Sequence, residues 1–316
     1  MTYRHFLFPL APKQALDAAF HQALHVANQV QARVTLLTVI EELAELADLS
    51  RYSVSTLSLL ENATRECQKL LDQHVQQLQS QYPDIDFHTQ VVTGVPYVEI
   101  IKSASQLQVD MIVIDAHRVH KESACQWGTS TRHLMRESEV PIWALHQQQE
   151  TPKLDNILVS MDVTHVDNTA LNEKLLQYAY EFALINEARL SLCHAWELES
   201  EGYLREWSRC SDLEIAVIAQ QLRDVREDRL AQLMADYSRN RVPMQMIMLE
   251  GSAKTVLPEY INNHDIDLVI MGSLSRTGIA GFVMGNTAEF MLDKIQCSVL
   301  TLKPDRFRSP LLGDQG

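Results

Sequence analysis

Two stretches of this chain say the same thing at a fixed distance. TGVPYVEIIKSASQLQVDMIVIDA covers 93–116 and EGSAKTVLPEYINNHDIDLVIMGS covers 250–273. Gly94 aligns with Gly251, Asp110 with Asp267, Asp115 with Gly272 and Gly128 with Gly285, each 157 residues apart. The flanks follow: HFLFPLAP pairs with NILVSMDV, QARVTLLTVIEE (31–42) with EARLSLCHAWEL (187–198), and SEVPIWALH with IQCSVLTLK. Solenoid repeats have periods of about 20–50 residues, so a repeat this long is a duplicated domain. The 316 residues divide into domains at 1–150 and 151–316.

Within each unit, strand and helix patterns alternate. In the second, NILVSM and DLVIMG are short apolar runs, as expected of strands buried on both faces. Leu171, Leu175, Tyr178, Ala179 and Phe182 recur at helical spacing, and 211–239 is charged with the same period. RLSLCHA, VPMQMIML and SVLTLK read as strands, and TAEFMLDKI as a helix. AKTVLPEYINNH also reads as a helix, bent by Pro258 or carrying it near its first turn. Repeated βα units predict, for each domain, a five-stranded parallel sheet with helices on both faces. Ligands in such sheets bind at the carboxyl ends of the strands.

Bulk properties exclude several roles. The net charge of −14 opposes a general nucleic-acid binder, which needs a basic surface, and docking on an anionic membrane by charge. No apolar run is long enough to span a bilayer, and HFLFPL reads as a strand, not a signal peptide. The five cysteines (Cys67, Cys125, Cys193, Cys210 and Cys297) form no CxxC pair and suit reduced, buried thiols of a cytoplasmic protein.

The stretch MGSLSRTGIAGFVMGNTAE, 271–289, follows the fourth strand of the second unit and ends at a helix start. Helix N-termini offer free N–H groups and a positive dipole end to phosphate. Gly272 permits a sharp turn and Gly285 a close approach. With CSVLTLKP behind it, this stretch resembles the C-terminal signature of the universal stress protein family, on the adenine-nucleotide-binding α/β fold, and the resemblance covers both repeats. It implies a Gly-x-x-Gly, nine-residue, Gly-Ser/Thr phosphate loop and an aspartate at the end of the first strand on the adenine side. Carried onto this chain, Asp162 takes the aspartate's place, Ala195 supplies a backbone group to the base, and Met271, Gly272 and Gly285 match the loop. Ser275 replaces the second glycine and Asn286 the hydroxyl residue, while Arg276 is placed to pair with phosphate. The resemblance thus implies ATP or ADP as cofactor of the second domain, with a weakened phosphate loop. The first domain departs further: Ala11, Asp115 and Arg118 replace the aspartate and both glycines, leaving only Gly128-Thr129. An aspartate there repels phosphate.

Other constellations are weaker. His21 and His25 share a helix face but name no third metal ligand, and His117 with His120 sits in the first domain's degenerate loop. RDVREDR (223–229) reads as a solvated helix face with i,i+4 pairs, and the Met-rich strand as core. No nucleophile–base pattern demands catalysis. The leading expectation is a cytoplasmic, non-catalytic stress-response sensor of a small-molecule ligand, with protein partners unassigned. A slow ATP hydrolase and a carrier of another small or lipid-like ligand remain open. PIWALH and SVLTLK are apolar edge strands, which predicts an internal pseudo-dimer through them.

Overall fold

The structure, a computed structural model, describes residues 3–11, 14–41, 43, 54–116, 128–146, 153–237, 241–273 and 286–313, the side chains of Val54, Asn286 and Thr287 excepted. The chain forms two units. The first comprises Met1–Lys153, Ser273–Gly285 and Gln296–Gly316, the second Leu154–Gly272 and Asn286–Ile295. The first unit contains β1 (His5–Pro9), α1 (Ala18–Gln29), β2 (Arg33–Ile40), α2 (Val54–Gln81), β3 (Phe87–Thr93), α3 (Pro96–Gln106), β4 (Met111–Asp115), α4 (Thr129–Glu137) and β5 (Ile142–Leu145). These strands lie in the order β3-β2-β1-β4-β5 and all pair in parallel. The second unit contains β6 (Asn156–Ser160), α5 (Thr169–Asn186), β7 (Arg189–Trp196), α6 (Glu201–Glu206), α7 (Asp212–Ala235), β8 (Met244–Glu250), α8 (Ala253–Asn263), β9 (Leu268–Gly272) and α9 (Asn286–Leu292). Its order is β9-β6-β7-β8, again parallel.

The last strand of the second repeat, β10 (Ser298–Leu302), belongs to the first unit. It runs antiparallel to β5, with Val299 opposite Ala144 and Leu300 opposite Trp143. The apolar edge of β5 is therefore hydrogen-bonded, which is how an exposed edge is made safe. The segment after β10 stays in place through Lys303, whose Nζ donates to the Met135 and Ser138 carbonyls at 2.7 Å each and lies 4.6 Å above the Phe307 ring. Those carbonyls close the C-terminus of α4, where a cation is favoured. Burial pushes the Lys303 ammonium down to about 7, against the pull of Glu137 and Glu139.

The apolar runs became strands because both their faces are covered. Every residue of β1, β5 and β10 is buried, whereas the outer strands β3 and β8 are only half-buried. Phe8 meets Phe20 of α1 with ring centroids 4.7 Å apart, and burying such a side chain stabilises by roughly 1.5–3 kcal/mol. Helix starts follow local chemistry. The Asp17 carboxylate accepts the Phe20 N–H and opens α1, while Ser211 and Glu214 cap each other reciprocally at the start of α7. Pro258 lies buried inside α8, in its second turn.

The duplication is visible as repeated fastenings. Asp110 Oδ2 accepts the N–H groups of Arg4 (2.7 Å) and His5 (3.0 Å), and Asp267 Oδ2 accepts those of Asp155 (2.7 Å) and Asn156 (2.8 Å). One carboxylate per repeat thus ties the start of the first strand to the start of the fourth. Gly94 and Gly251 take φ of 153° and 125° and donate to the last carbonyls of β2 and β7, Ile40 and Trp196. Positive φ there explains why both are glycine.

Candidate functional site

In the second unit the chain turns away from the sheet directly after β6. Asp162 stands at that turn, half-buried, with Oδ1 accepting the Thr164 N–H at 3.0 Å. Its carbonyl accepts Asn172 Nδ2 at 2.9 Å and Asn168 Nδ2 at 3.3 Å, so α5 and the turn before it fix the backbone that carries the carboxylate. Beside it runs the end of β7. Odd residues of β7 turn their peptide groups to β6: the Arg189 N–H donates to Asp155 O, and Cys193 O accepts the Met161 N–H. Even residues turn to β8, as the Leu190 N–H donating to Pro243 O shows. By this alternation the peptide groups of Ala195 face the side that β6 has just left. The two strand ends thus offer a carboxylate acceptor and a backbone donor and acceptor, each able to hydrogen-bond a polar ligand.

The neighbouring strand ends at Met271 and Gly272. Met271 is buried, and a Cβ on Gly272 would stand 3.1 Å from Leu171 Cδ2 of α5, tight enough that the leucine would have to give. Asn286 is the first residue of α9, which places the expected helix start where the sequence put it. Ser275, Arg276 and Gly285 lie outside the described residues, as do His117, Arg118 and His120 of the first repeat.

The matching place in the first unit has different chemistry. Ala11 follows β1 and offers no carboxylate. A cleft at the ends of β1, β4 and β5 is lined by Leu10, Gln14, Asp17, Phe20, Asp115 and Leu145, so its two charged groups are both acidic. The Gly128 N–H at the start of α4 donates to Ala116 O at 3.0 Å, and Thr131 Oγ1 to Asp115 O at 3.3 Å. A second, mostly apolar cleft lies beside it, between Leu10, Ala11, Thr38, Cys67, Leu71 and His74.

Several side chains stand differently from expectation. RDVREDR is not wholly a solvated face: Arg223 does approach Glu227 (3.9 Å), but Arg226 is only 8% exposed. Arg229 NH1 donates to the carbonyls of Val163 and Thr164 at 2.7 and 2.8 Å. The signal was in the phase of α7, whose buried residues are Ile215, Arg226 and Leu230, with Arg226 one turn before Leu230. His194 was also missed. It is 2% exposed, and its Nδ1 lies 2.9 Å from Met161 O. Thr38 Oγ1 makes the same bond to Leu10 O in the first repeat, at 3.2 Å. His21 and His25 part company: His21 Nδ1 meets Tyr82 OH at 3.2 Å, while burial and then Lys153 hold His25 below its ordinary pKa. Among the described residues no group of three His, Cys, Asp or Glu could hold a metal, and no helix is long and apolar enough to cross a membrane. Cys67, Cys193, Cys210 and Cys297 form no disulfide among the described residues, and burial pushes the Cys193 thiol up to about 12.

Comparison with known proteins agrees with the fold. Universal stress protein E of Escherichia coli K12 is 22% identical over 319 residues, spanning 98% of this chain and 96% of its own. The universal stress protein E homolog of Haemophilus influenzae is 21% identical, spanning 97% and 99%. Among solved structures, a functionally unknown protein from Pseudomonas aeruginosa PAO1 superposes with a TM-score of 0.69 at 20% identity, over 96% of this chain and 93% of its own. A universal stress protein from Archaeoglobus fulgidus gives 0.66 at 16%, over 96% and 99%. The universal stress protein family itself matches twice, over residues 2–146 and 154–303. With the family matched in both halves of a duplicated α/β chain, the protein belongs to the universal stress protein family.

Proposed function

We propose that this chain is a non-catalytic stress-response sensor of the cytoplasm that binds one adenine nucleotide, ATP or ADP, in its second repeat, 151–316, and none in its first, 1–150. The observation that carries this reading is the turn directly after β6, where the Asp162 carboxylate accepts the Thr164 N–H and its carbonyl is held by Asn168 and Asn172, with the end of β7 and Ala195 on the neighbouring strand. The base sits at those strand ends, and Met271, Gly272, Ser275, Arg276, Gly285 and Asn286 take the phosphates. Ser275 and Asn286 leave that loop weaker than an intact one. In the first repeat Ala11 removes the base-side carboxylate, and Asp17 and Asp115 set negative charge at the strand ends, where it repels phosphate. The antiparallel ladder of β5 and β10 supports an internal pseudo-dimer of the two repeats.

The test is mass spectrometry of whatever the purified, denatured protein releases. An adenine nucleotide at up to one equivalent agrees with the proposal. A lipid or other apolar ligand released in its place would favour the carrier reading, which the apolar cleft of Leu10, Cys67, Leu71 and His74 makes specific.

A further inference from the structure

The large apolar side chains that stay exposed among the described residues are not scattered evenly. Leu213 is 75% exposed, Val166 72%, Trp207 71% and Tyr203 64%, so three of the four barest lie between positions 203 and 213 of the second unit. Val217, 49% exposed, follows one helical turn after Leu213. Tyr203 and Trp207 stand four residues apart on and just after α6, as do Leu213 and Val217 on α7, so each pair shares one side of its helix. Ile215, between the members of the second pair, is buried and marks the opposite, covered side of α7.

The junction between the helices anchors α6 to the start of α7. Arg205, between Tyr203 and Trp207 in the chain, donates to Glu201 at 2.9 Å and to Asp212, the first residue of α7. The Cys210 N–H donates to Leu204 O at 3.1 Å, and the reciprocal cap of Ser211 and Glu214 follows directly. The charge around this junction is one-sided. Positions 197–217 carry six carboxylates, Glu197, Glu199, Glu201, Glu206, Asp212 and Glu214, against Arg205 and Arg209. Arg205 is taken up by two of the six, while Glu197, Glu199 and Glu206 stand exposed.

We propose that this acid-rimmed apolar surface of α6 and α7 docks a basic, amphipathic segment of another protein. Bare Trp, Tyr and Leu side chains of this kind mark interaction surfaces, and Trp and Tyr are the commonest anchors of protein interfaces. The rim selects the occupant. Its negative charge repels an anionic membrane surface and a nucleic-acid backbone. A second copy of this chain, at a net charge of −14, would bring the same carboxylates against themselves. A helix with apolar side chains on one face and Lys or Arg beside them matches both the apolar centre and the acidic rim. The surface uses none of the residues assigned to the nucleotide, and stands whether or not the second repeat takes one.

The test is calorimetry on the full chain with a synthetic amphipathic peptide of leucine and lysine, and with its leucine–glutamate counterpart. The proposal expects saturable binding of the basic peptide and none of the acidic one, with at least about tenfold weaker binding in Trp207→Ser and in Leu213→Ser. Glu199→Gln combined with Glu206→Gln should also weaken binding, by a factor that shrinks as salt rises. Leu59→Ser, at a side chain 58% exposed on α2 of the first unit, serves as the control and should bind as the parent does. These side chains are all exposed, so circular dichroism should report the parent fold in every variant. No saturable binding of the basic peptide, equal binding of the acidic one, or unchanged affinity in Trp207→Ser and Leu213→Ser would each overturn the proposal. So would self-association of the parent that Trp207→Ser abolishes, because the occupant would then be a second copy.

Discussion

Removing the Asp267 carboxylate should loosen the second unit at one identifiable place. Oδ2 accepts two backbone N–H groups, Asp155 at 2.7 Å and Asn156 at 2.8 Å. A hydrogen bond to a charged group is worth about 1.5–3 kcal/mol. The Asp155 donor is exposed and can turn to water, whereas the Asn156 donor is part-buried and pays the larger cost. Burial raises the pKa of Asp267 despite those two bonds, so part of their strength goes to holding a charge out of water. The net expectation for Asp267→Ala is about 2–3 kcal/mol of lost stability, most of it from the Asn156 bond. Urea unfolding followed by far-UV circular dichroism gives the size, and amide hydrogen exchange gives the place. The Asp155 and Asn156 amides should exchange faster while those of Arg4 and His5, held by Asp110, do not. Asp110→Ala should reverse the pattern. A loss below about 0.5 kcal/mol, the range of an indifferent surface change, would refute the bracing role, as would exchange that accelerates equally in both repeats.

Three further outcomes follow from the same geometry. Gly251→Ala should destabilise by roughly 1–3 kcal/mol, since φ is +125° and the new Cβ would stand 2.8 Å from Val256 Cγ1; chemical denaturation checks it. Lys303 has a folded pKa pushed down to about 7 by burial, below an unfolded value of about 10.4. Between the two the unfolded chain binds the extra proton, so the penalty is complete below pH 7 and fades as pH rises toward 10. The stability of the parent minus that of Lys303→Met should therefore climb over that window, and a flat difference in pH-dependent unfolding would contradict it. Finally, Ser275→Gly with Asn286→Ser should tighten ATP binding by roughly ten- to a hundred-fold, if each residue now costs a phosphate contact.

The fold was largely legible because its signals are local and were written twice. Apolar runs became parallel strands, Gly94 and Gly251 fell at the two positive-φ turns after β3 and β8, and Asp110 and Asp267 fell in register. Their spacing was readable; their task, tying two strand starts together, was not, because the donors come from residues more than 100 positions away. The apolar character of β5 and β10 anticipated their pairing, since an unpaired edge of that composition is unstable alone. The misses are charged and polar groups whose burial depends on tertiary packing. Arg226 reads as part of a solvated helix face in one dimension, yet packing leaves it only 8% exposed. His194 stands within a β-strand pattern that does not distinguish a core histidine from one facing a ligand.

The central claim is one nucleotide per chain, held by the second repeat. Isothermal titration of the full-length protein with ATP, alongside Asp162→Ala and with circular dichroism confirming that the variant folds, measures it directly. The account expects a stoichiometry near one for the parent and binding lost or weakened at least about tenfold in Asp162→Ala, the cost of one charge-assisted hydrogen bond. A stoichiometry near two, no ATP binding to the parent, or unchanged affinity in Asp162→Ala would contradict it.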